Sequence, residues 1–176
     1  MVLTRLTGAG DVRRSGSGNI GATNVYRTAG RKLGLMTLVG DIIKGVLPVI
    51  YAGSFAALPI EQVALVACAT FLGHLYPVYI GFKGGKGVAT ALGIYLVLSP
   101  LAVLFAAILF IALVWKWRYV SLGSITAAAL VPPLTYLFEG SLPLLYASLF
   151  ISVMVIWRHR ENIRRLVSGT ENKFKA

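Results

Sequence analysis

Residues 88–117 read VATALGIYLVLSPLAVLFAAILFIALVWKW, with Lys116 as the one charged side chain. Spanning a bilayer takes about 20 apolar residues. The apolar runs on either side of Ser99-Pro100, at 88–98 and 101–115, are shorter than that. The stretch is therefore either a single helix kinked by proline or two helices that turn at Ser99-Pro100. The second alternative returns the chain to the side of the membrane from which it came.

The distribution of basic residues distinguishes these alternatives. With a turn, sixteen of the seventeen Lys and Arg residues face one side, and only Lys44 lies inside an apolar run. With a single crossing, the split becomes eight to eight, which the positive-inside rule disfavours. We therefore predict the turn, with the basic side and both termini in the cytoplasm. The sixteen residues are Arg5, Arg13, Arg14, Arg27, Arg31, Lys32, Lys83, Lys86, Lys116, Arg118, Arg158, Arg160, Arg164, Arg165, Lys173 and Lys175.

The composition is that of a membrane protein. Of the 176 residues, 57% are hydrophobic and 13% are charged, against about 45–50% and about 25% in soluble domains. We predict an all-α polytopic transmembrane helix bundle that forms one domain over residues 1–176. Its six helical segments follow the apolar runs at about 33–57, 62–82, 88–98, 101–115, 122–138 and 141–157.

The net charge of +11 does not indicate a nucleic-acid partner. The basic residues lie between apolar runs and are not interleaved with aromatic side chains on a basic face. They suit orientation in the membrane and attraction of anionic lipids or substrates. Cys68, the one cysteine, offers neither a disulfide nor a metal-binding pair. Arg5 is not followed by a 7–15-residue apolar stretch, so we predict no cleavable signal peptide.

The first polar segment on the basic side is GSGNIGATNVYRTAGRKLG, residues 16–34. Its glycines allow backbone N–H groups to converge on an anion, and its hydroxyl, amide and guanidinium groups add oriented donors. These donors belong to Ser17, Asn19, Thr23, Asn24 and Arg27. The segment suits a phosphate cradle, and the alternative is a flexible polar loop.

The second segment is GFKGGKG, residues 81–87, which lies between two apolar runs. It places N–H groups and the positive end of a helix at the surface, where Lys86 can meet a phosphate as a point charge. The spacing of a nucleotide-binding P-loop is absent, so nucleotide hydrolysis is not expected. The alternative is a turn whose lysines extend toward the interface.

Two further polar segments follow on the same side. RYVSLGS, residues 118–124, brings hydroxyls to a helix start, where helix capping is the alternative role. RHRENIRR, residues 158–165, resembles an ordinary charge cluster after a last span, but it also contains His159 and Asn162.

Three residues with acidic or basic side chains, Asp41, Lys44 and His74, lie inside the apolar runs. Asp41 and Lys44 have the i, i+3 spacing that permits an ion pair on one helix face, which lowers the cost of burial. His74 suits either a bond to a neighbouring backbone group or a role in the site.

Together the motifs GSGNIGATN with Arg27, GHLYPVYIGFKGGKGVATALG, RYVSLGSI and RHRENIRRL resemble the bacterial acyl-phosphate:glycerol-3-phosphate acyltransferases, the PlsY family. The resemblance covers nearly the whole chain. It implies acyl transfer from acyl phosphate to the 1-hydroxyl of glycerol 3-phosphate, giving lysophosphatidate and phosphate without a cofactor or metal. It also implies a cell inner membrane protein with seven helices, in which Met1–Leu3 correspond to the end of the first.

Acyl phosphate is already activated, so the site has to bind two phosphates, align a hydroxyl and stabilise an oxyanion. We expect the acyl donor's phosphate to meet Ser17, Asn19, Thr23, Asn24, Gly84, Gly85 and Lys86. We expect glycerol 3-phosphate to meet Arg27, Lys86, Ser124, His159 and Asn162. The candidate catalytic residues are Lys86, Ser17, Ser124 and His159. The rival function is a transporter or flippase for a phosphorylated solute, although such proteins tend to place polar groups near the membrane midplane.

Overall fold

A computed structural model describes residues 4, 7–8 and 10–174 of the chain. Eight α-helices account for most of this part, and it contains no β-strand. The helices are α1 (Ala22–Ala29), α2 (Arg31–Ile50), α3 (Ile60–Leu75), α4 (Val88–Leu98), α5 (Pro100–Trp117), α6 (Val120–Glu139), α7 (Leu142–Arg158) and α8 (Arg160–Val167). The predictions for Met1–Leu3, Arg5 and Lys175 lie outside the described residues.

The six predicted helical segments are confirmed as α2 to α7. A π-helical turn, Tyr51–Phe55, continues α2, and a 3₁₀ turn, Val78–Ile80, follows α3. The short helices α1 and α8 lie in the polar segments and were not predicted as helices. Neither contains an apolar run long enough to indicate a helix in a membrane.

The predicted turn at Ser99-Pro100 is confirmed. Ser99 has non-helical backbone angles, and Pro100 begins α5, where its missing N–H and fixed φ suit the first helical position. Lys86, before α4, and Ser121, after α5, both lie at the end of the bundle that holds Asn162 and Glu171. The stretch 88–117 therefore returns to its starting side.

Within the described residues, four helical stretches are long and apolar enough to cross a membrane: Arg31–Phe55, Ile60–Ile80, Pro100–Trp117 and Val120–Glu139. A fifth span is possible if α7 and α8, which bend by 56° at His159, are taken together. Helix α4 has 11 residues, so it is about 16 Å long, against about 30 Å for a hydrocarbon core.

The segment before α4 carries the chain into the bundle. The Gly84 N–H donates to the Leu75 carbonyl at 3.0 Å. Gly87 then lies against the ring of Phe71, one helical turn further from the end of α3. Helix α4 consequently starts below the bundle surface, and its first residues border an internal cavity.

Helices α2 and α4 approach closely through two glycines. A Cβ atom on Gly45 would collide with the Thr90 carbonyl, and one on Gly93 would collide with the Ile42 carbonyl. Such small-residue contacts let membrane helices approach to backbone distance. This packing fixes the position of α4 and therefore of the loop that precedes it.

Candidate active site

A cavity of about 650 Å³ lies between the helices at the end of the bundle where α4 begins. One part of its wall is polar and the remainder is apolar. Nine of the predicted site residues line it: Ser17, Asn19, Thr23, Asn24, Arg27, Lys86, Ser124, His159 and Asn162. The structure therefore brings together residues from all four polar segments. Gly84 and Gly85 do not line the cavity.

Asn24 organises residues 10–30, which include the short helix α1 and are called the first polar loop. Its side chain is buried, and its amide nitrogen donates to the carbonyls of Val12 and Asn19 at 2.9 and 2.8 Å. Its amide oxygen accepts from the Ser17 N–H at 2.8 Å. Asn24 therefore uses its polar atoms within the loop, and its main effect is to fix the position of Ser17 and Asn19.

The glycine segment is held by Arg158. The guanidinium donates to the Gly84 carbonyl at 2.7 Å and to the Gly85 carbonyl at 3.1 Å. The Gly84 N–H is already bonded to Leu75, so these two glycines shape the loop that presents Lys86. Sequence reasoning had treated Arg158 only as part of a charge cluster.

Lys86 extends from this loop toward α8, and its ammonium group donates to the side-chain oxygen of Asn162. Burial lowers the pKa of Lys86 to about 8, although the Glu171 carboxylate acts in the opposite direction. The group is therefore still mostly charged at pH 7. A partly desolvated ammonium can interact strongly with an anion that enters the cavity.

Glu171 was missed by sequence reasoning. One carboxylate oxygen accepts from the Ser121 hydroxyl at 2.7 Å and from the Asn162 amide at 2.6 Å, and the other accepts from Arg165 at 2.7 Å. Burial would raise the pKa of Glu171, but these hydrogen bonds outweigh it and hold the pKa below its ordinary value. The signal available in the sequence was an acidic residue a few positions after the dense basic segment at 158–165.

Ser124 and His159 also line the cavity, and both are buried. The Ser124 hydroxyl donates to the Val120 carbonyl at 2.9 Å. Because a carbonyl can only accept, the 2.8 Å contact between His159 Nδ1 and the Val155 carbonyl places a proton on Nδ1. Burial, assisted by the charge of Lys86, lowers the pKa of His159 to about 4. The ring is therefore neutral at pH 7, and its Nε2 can accept a hydrogen bond.

The segment after α8 closes one side of the cavity. Arg27 donates to the Asn172 carbonyl at 3.3 Å, and Phe174 and Arg118 are joined by bonds of 2.6 and 3.1 Å. The rings of Phe174 and Tyr26 are 5.6 Å apart. This segment connects the first polar loop to the start of α6.

Two of the three acidic or basic residues inside the apolar runs lie beside the cavity. Asp41 and Lys44 form the predicted ion pair at 2.6 Å. His74 bonds to the Thr90 hydroxyl at 3.1 Å rather than to a neighbouring backbone group. Asp41 and His74 both line the cavity. Among the described residues, no three His, Cys, Asp or Glu side chains are grouped to hold a metal ion.

The apolar part of the wall continues into the bundle from the polar end. It is formed by side chains of α4, α5, α6 and α7. These include Leu92, Tyr95, Val103, Ala106, Phe110, Ala127, Val131, Ile151 and Val155. A molecule with an anionic head and a hydrocarbon chain matches this division.

Comparison with known proteins gives consistent matches. The family model described as glycerol-3-phosphate acyltransferase matches residues 1–169. A glycerol-3-phosphate acyltransferase of Syntrophotalea carbinolica is 64% identical, and the alignment covers 100% of this chain and 90% of the relative. A glycerol-3-phosphate acyltransferase of Geobacter sulfurreducens is 54% identical, and this alignment also covers 100% of this chain and 90% of the relative.

Two crystal structures of PlsY, an integral membrane glycerol 3-phosphate acyltransferase, have a similar fold. The glycerol 3-phosphate form has a TM-score of 0.93 and 40% identity, covering 99% of this chain and 86% of that one. The lysophosphatidic acid form has a TM-score of 0.85 and 40% identity, covering 90% and 81%.

Proposed function

Because this chain belongs to the glycerol-3-phosphate acyltransferase family, we propose that it transfers an acyl group from acyl phosphate to the 1-hydroxyl of glycerol 3-phosphate. The products are 1-acyl-glycerol 3-phosphate and inorganic phosphate. The observation that carries the proposal is that Lys86, Asn162 and His159 line the same cavity, at one end of its apolar wall. That wall suits the acyl chain.

The two phosphates occupy different parts of the polar wall. The acyl donor's phosphate lies against the first polar loop, where Asn24 fixes the positions of Ser17 and Asn19. Glycerol 3-phosphate lies on the side of Arg27, Ser124, His159 and Asn162. Lys86 extends between these groups and contacts both substrates.

The reaction forms one C–O bond and breaks another. The 1-hydroxyl oxygen attacks the acyl carbonyl carbon, and the bond between that carbon and the phosphate oxygen breaks. The proton of the hydroxyl passes to the departing phosphate, which is more basic than His159 with its pKa near 4. The neutral His159 Nε2 instead accepts a hydrogen bond that orients glycerol 3-phosphate.

Lys86 contributes electrostatic stabilisation. Charge develops on the carbonyl oxygen and on the departing phosphate, and a positioned ammonium stabilises it more in the transition state than in the ground state. The network from Glu171 through Asn162 holds the ammonium in place before the substrates bind.

The rival proposal is transport of a phosphorylated solute. Transporter sites tend to lie at the membrane midplane on broken helices. Here the polar wall is built from loops and helix ends at one end of the bundle. The arrangement favours an enzyme that acts at the interface, and we propose that this end faces the cytoplasm from the inner membrane.

A donor competition experiment tests the proposal. Purified protein in nanodiscs is supplied with glycerol 3-phosphate and with palmitoyl phosphate, palmitoyl-CoA or palmitoyl acyl carrier protein in turn. We expect lysophosphatidate and phosphate in a one-to-one ratio from palmitoyl phosphate. Faster turnover with either thioester would contradict the proposed donor. In sealed proteoliposomes, uptake of a phosphorylated solute without acylation would favour transport.

A further inference from the structure

We infer that His74 is a further substrate-binding residue, whose Nε2–H donates a hydrogen bond to the phosphate of the acyl donor. The inference rests on the proposed function and extends it to a residue of α3. His74 is only 7% exposed, yet it lines the cavity together with Lys86 and Asn19. A histidine held at the wall of an anion-binding cavity is suited to recognise that anion.

The Nε2 side of the ring points toward the first polar loop. A Cβ atom built on Gly85 would lie 2.5 Å from His74 Nε2 and 3.6 Å from the side-chain oxygen of Asn19. The ring nitrogen and the Asn19 side chain therefore meet across Gly85. A residue larger than glycine would cover Nε2, which gives this glycine a purpose beyond forming a turn.

The other ring nitrogen is already engaged. Nδ1 lies 3.1 Å from the Thr90 hydroxyl, which has no other hydrogen-bond partner in the described part of the chain. Asp41 is too far away to bond Nδ1, at 3.9 Å, and its oxygen is held by Lys44 at 2.6 Å. Nε2 has no hydrogen-bond partner among the described residues.

The chemistry of the ligand selects the tautomer. The ionised oxygens of an acyl phosphate only accept, so an imidazole that faces them must present N–H. When the Thr90 hydroxyl donates to Nδ1, the proton of the neutral ring lies on Nε2. This proton points toward the first polar loop. Thr90 is then the positioning residue for His74, and the Asn19 side of the cavity is the acyl-donor side.

Two substitutions of His74 distinguish the contribution of Nε2 from that of Nδ1. The amide nitrogen of glutamine can reach the position of Nε2, whereas that of asparagine reaches only that of Nδ1. We expect His74→Asn to raise the KM for palmitoyl phosphate by about ten- to a hundredfold. The KM for glycerol 3-phosphate should change by less than about threefold, and His74→Gln should restore most of the affinity. Thr70→Val, one turn earlier on α3 and outside the cavity, is the control.

A spectroscopic measurement tests the contact without turnover. In protein labelled with ¹⁵N histidine, inorganic phosphate should shift the His74 Nε2–H resonance, and Thr90→Val should change the tautomer signal. An unshifted resonance at saturating phosphate, or an unchanged KM for palmitoyl phosphate in His74→Asn, would overturn the inference. If wild-type protein used only palmitoyl-CoA, the proposed function would fail instead, and the phosphate-induced shift would still decide whether His74 binds phosphate.

Discussion

The ammonium group of Lys86 is hydrogen-bonded to the side chain of Asn162, which lies 76 positions later in the chain. The contact joins the glycine segment before α4 to helix α8, and Asn162 is in turn bonded to Glu171. Two polar segments that are remote in sequence therefore act as one unit. The consequences of disturbing this unit can be measured directly.

Replacing Lys86 with alanine should lower kcat/KM by about 10²-fold or more, the scale for losing one positioned electrostatic donor. Lys83→Ala is the matched control, because Lys83 is exposed and does not line the cavity. It should change activity by less than about tenfold. Initial rates in nanodiscs, with folding checked by monodisperse elution, compare the two. Equal and small effects would mean that the glycine segment is only a membrane turn.

The activity should fall as the pH rises through about 8. Burial lowers the pKa of Lys86 to about 8, so the charged form that binds phosphate is lost above this value. The pH profile of kcat/KM, corrected for spontaneous hydrolysis of the acyl phosphate, reports this titration. Lys86→Arg is the control, since arginine remains charged throughout the range. If its residual activity fell over the same pH interval, another group would be responsible.

Glu171→Gln should weaken binding of glycerol 3-phosphate. An amide has one acceptor oxygen and cannot serve Ser121, Asn162 and Arg165 together, and each hydrogen bond to a charged group is worth about 1.5–3 kcal/mol. We expect the KM for glycerol 3-phosphate to rise about tenfold, measured by initial rates. Glu161→Gln, at an exposed carboxylate, should have little effect. Equal KM values for the two variants would show that Glu171 does not organise the site.

Stability should also depend on Glu171 at acid pH. The pKa of Glu171 lies below its ordinary value of 4.5. The ionised carboxylate therefore stabilises the folded protein fully above pH 4.5, and this stabilisation is lost as the pH falls through the lowered pKa. The apparent unfolding temperature of the wild type should therefore fall more steeply below pH 4.5 than that of Glu171→Gln. Parallel curves would contradict this expectation.

Cysteine labelling can establish the sidedness of the bundle. Ser99 itself is buried, so a cysteine at the exposed Leu101 is the better reporter of the turn. In a Cys68→Ala background, a cysteine at Leu101 should react only from outside the cell, and one at Lys83 only from the cytoplasm. Labelling of both from the same side would exclude the predicted topology.

The contact between α2 and α4 should be sensitive to a single methyl group. Gly45→Ala places its Cβ against the Thr90 carbonyl, and forcing the helices apart should cost about 1–3 kcal/mol. Gly40→Ala on the same helix, whose Cβ would meet no atom of the described residues within 4 Å, is the control. Unfolding in detergent, followed by intrinsic fluorescence, should show a loss of stability for Gly45→Ala alone.

The sequence was sufficient to predict the apolar helices α2 to α7 and the turn at Ser99-Pro100, because length, hydropathy and basic residues are properties of the chain itself. It also identified nine residues that line the cavity. The division of roles within that wall depends on packing. Asn24 was predicted as a ligand, but its amide is used inside its own loop. Glu171 was missed because only the path of the chain after α8 brings it to Asn162.

The end of the bundle opposite the polar wall consists of the connections at 51–60, 98–101 and 136–142. None of their residues belongs to the described lining of the cavity. The two ends can therefore be engineered separately. The α6–α7 connection at Gly140 is exposed and has a left-handed backbone conformation, which makes it a place to insert an epitope or a rigid fusion partner. Such an insertion would give antibodies or imaging scaffolds a handle on a small membrane enzyme while its chemistry proceeds at the opposite end.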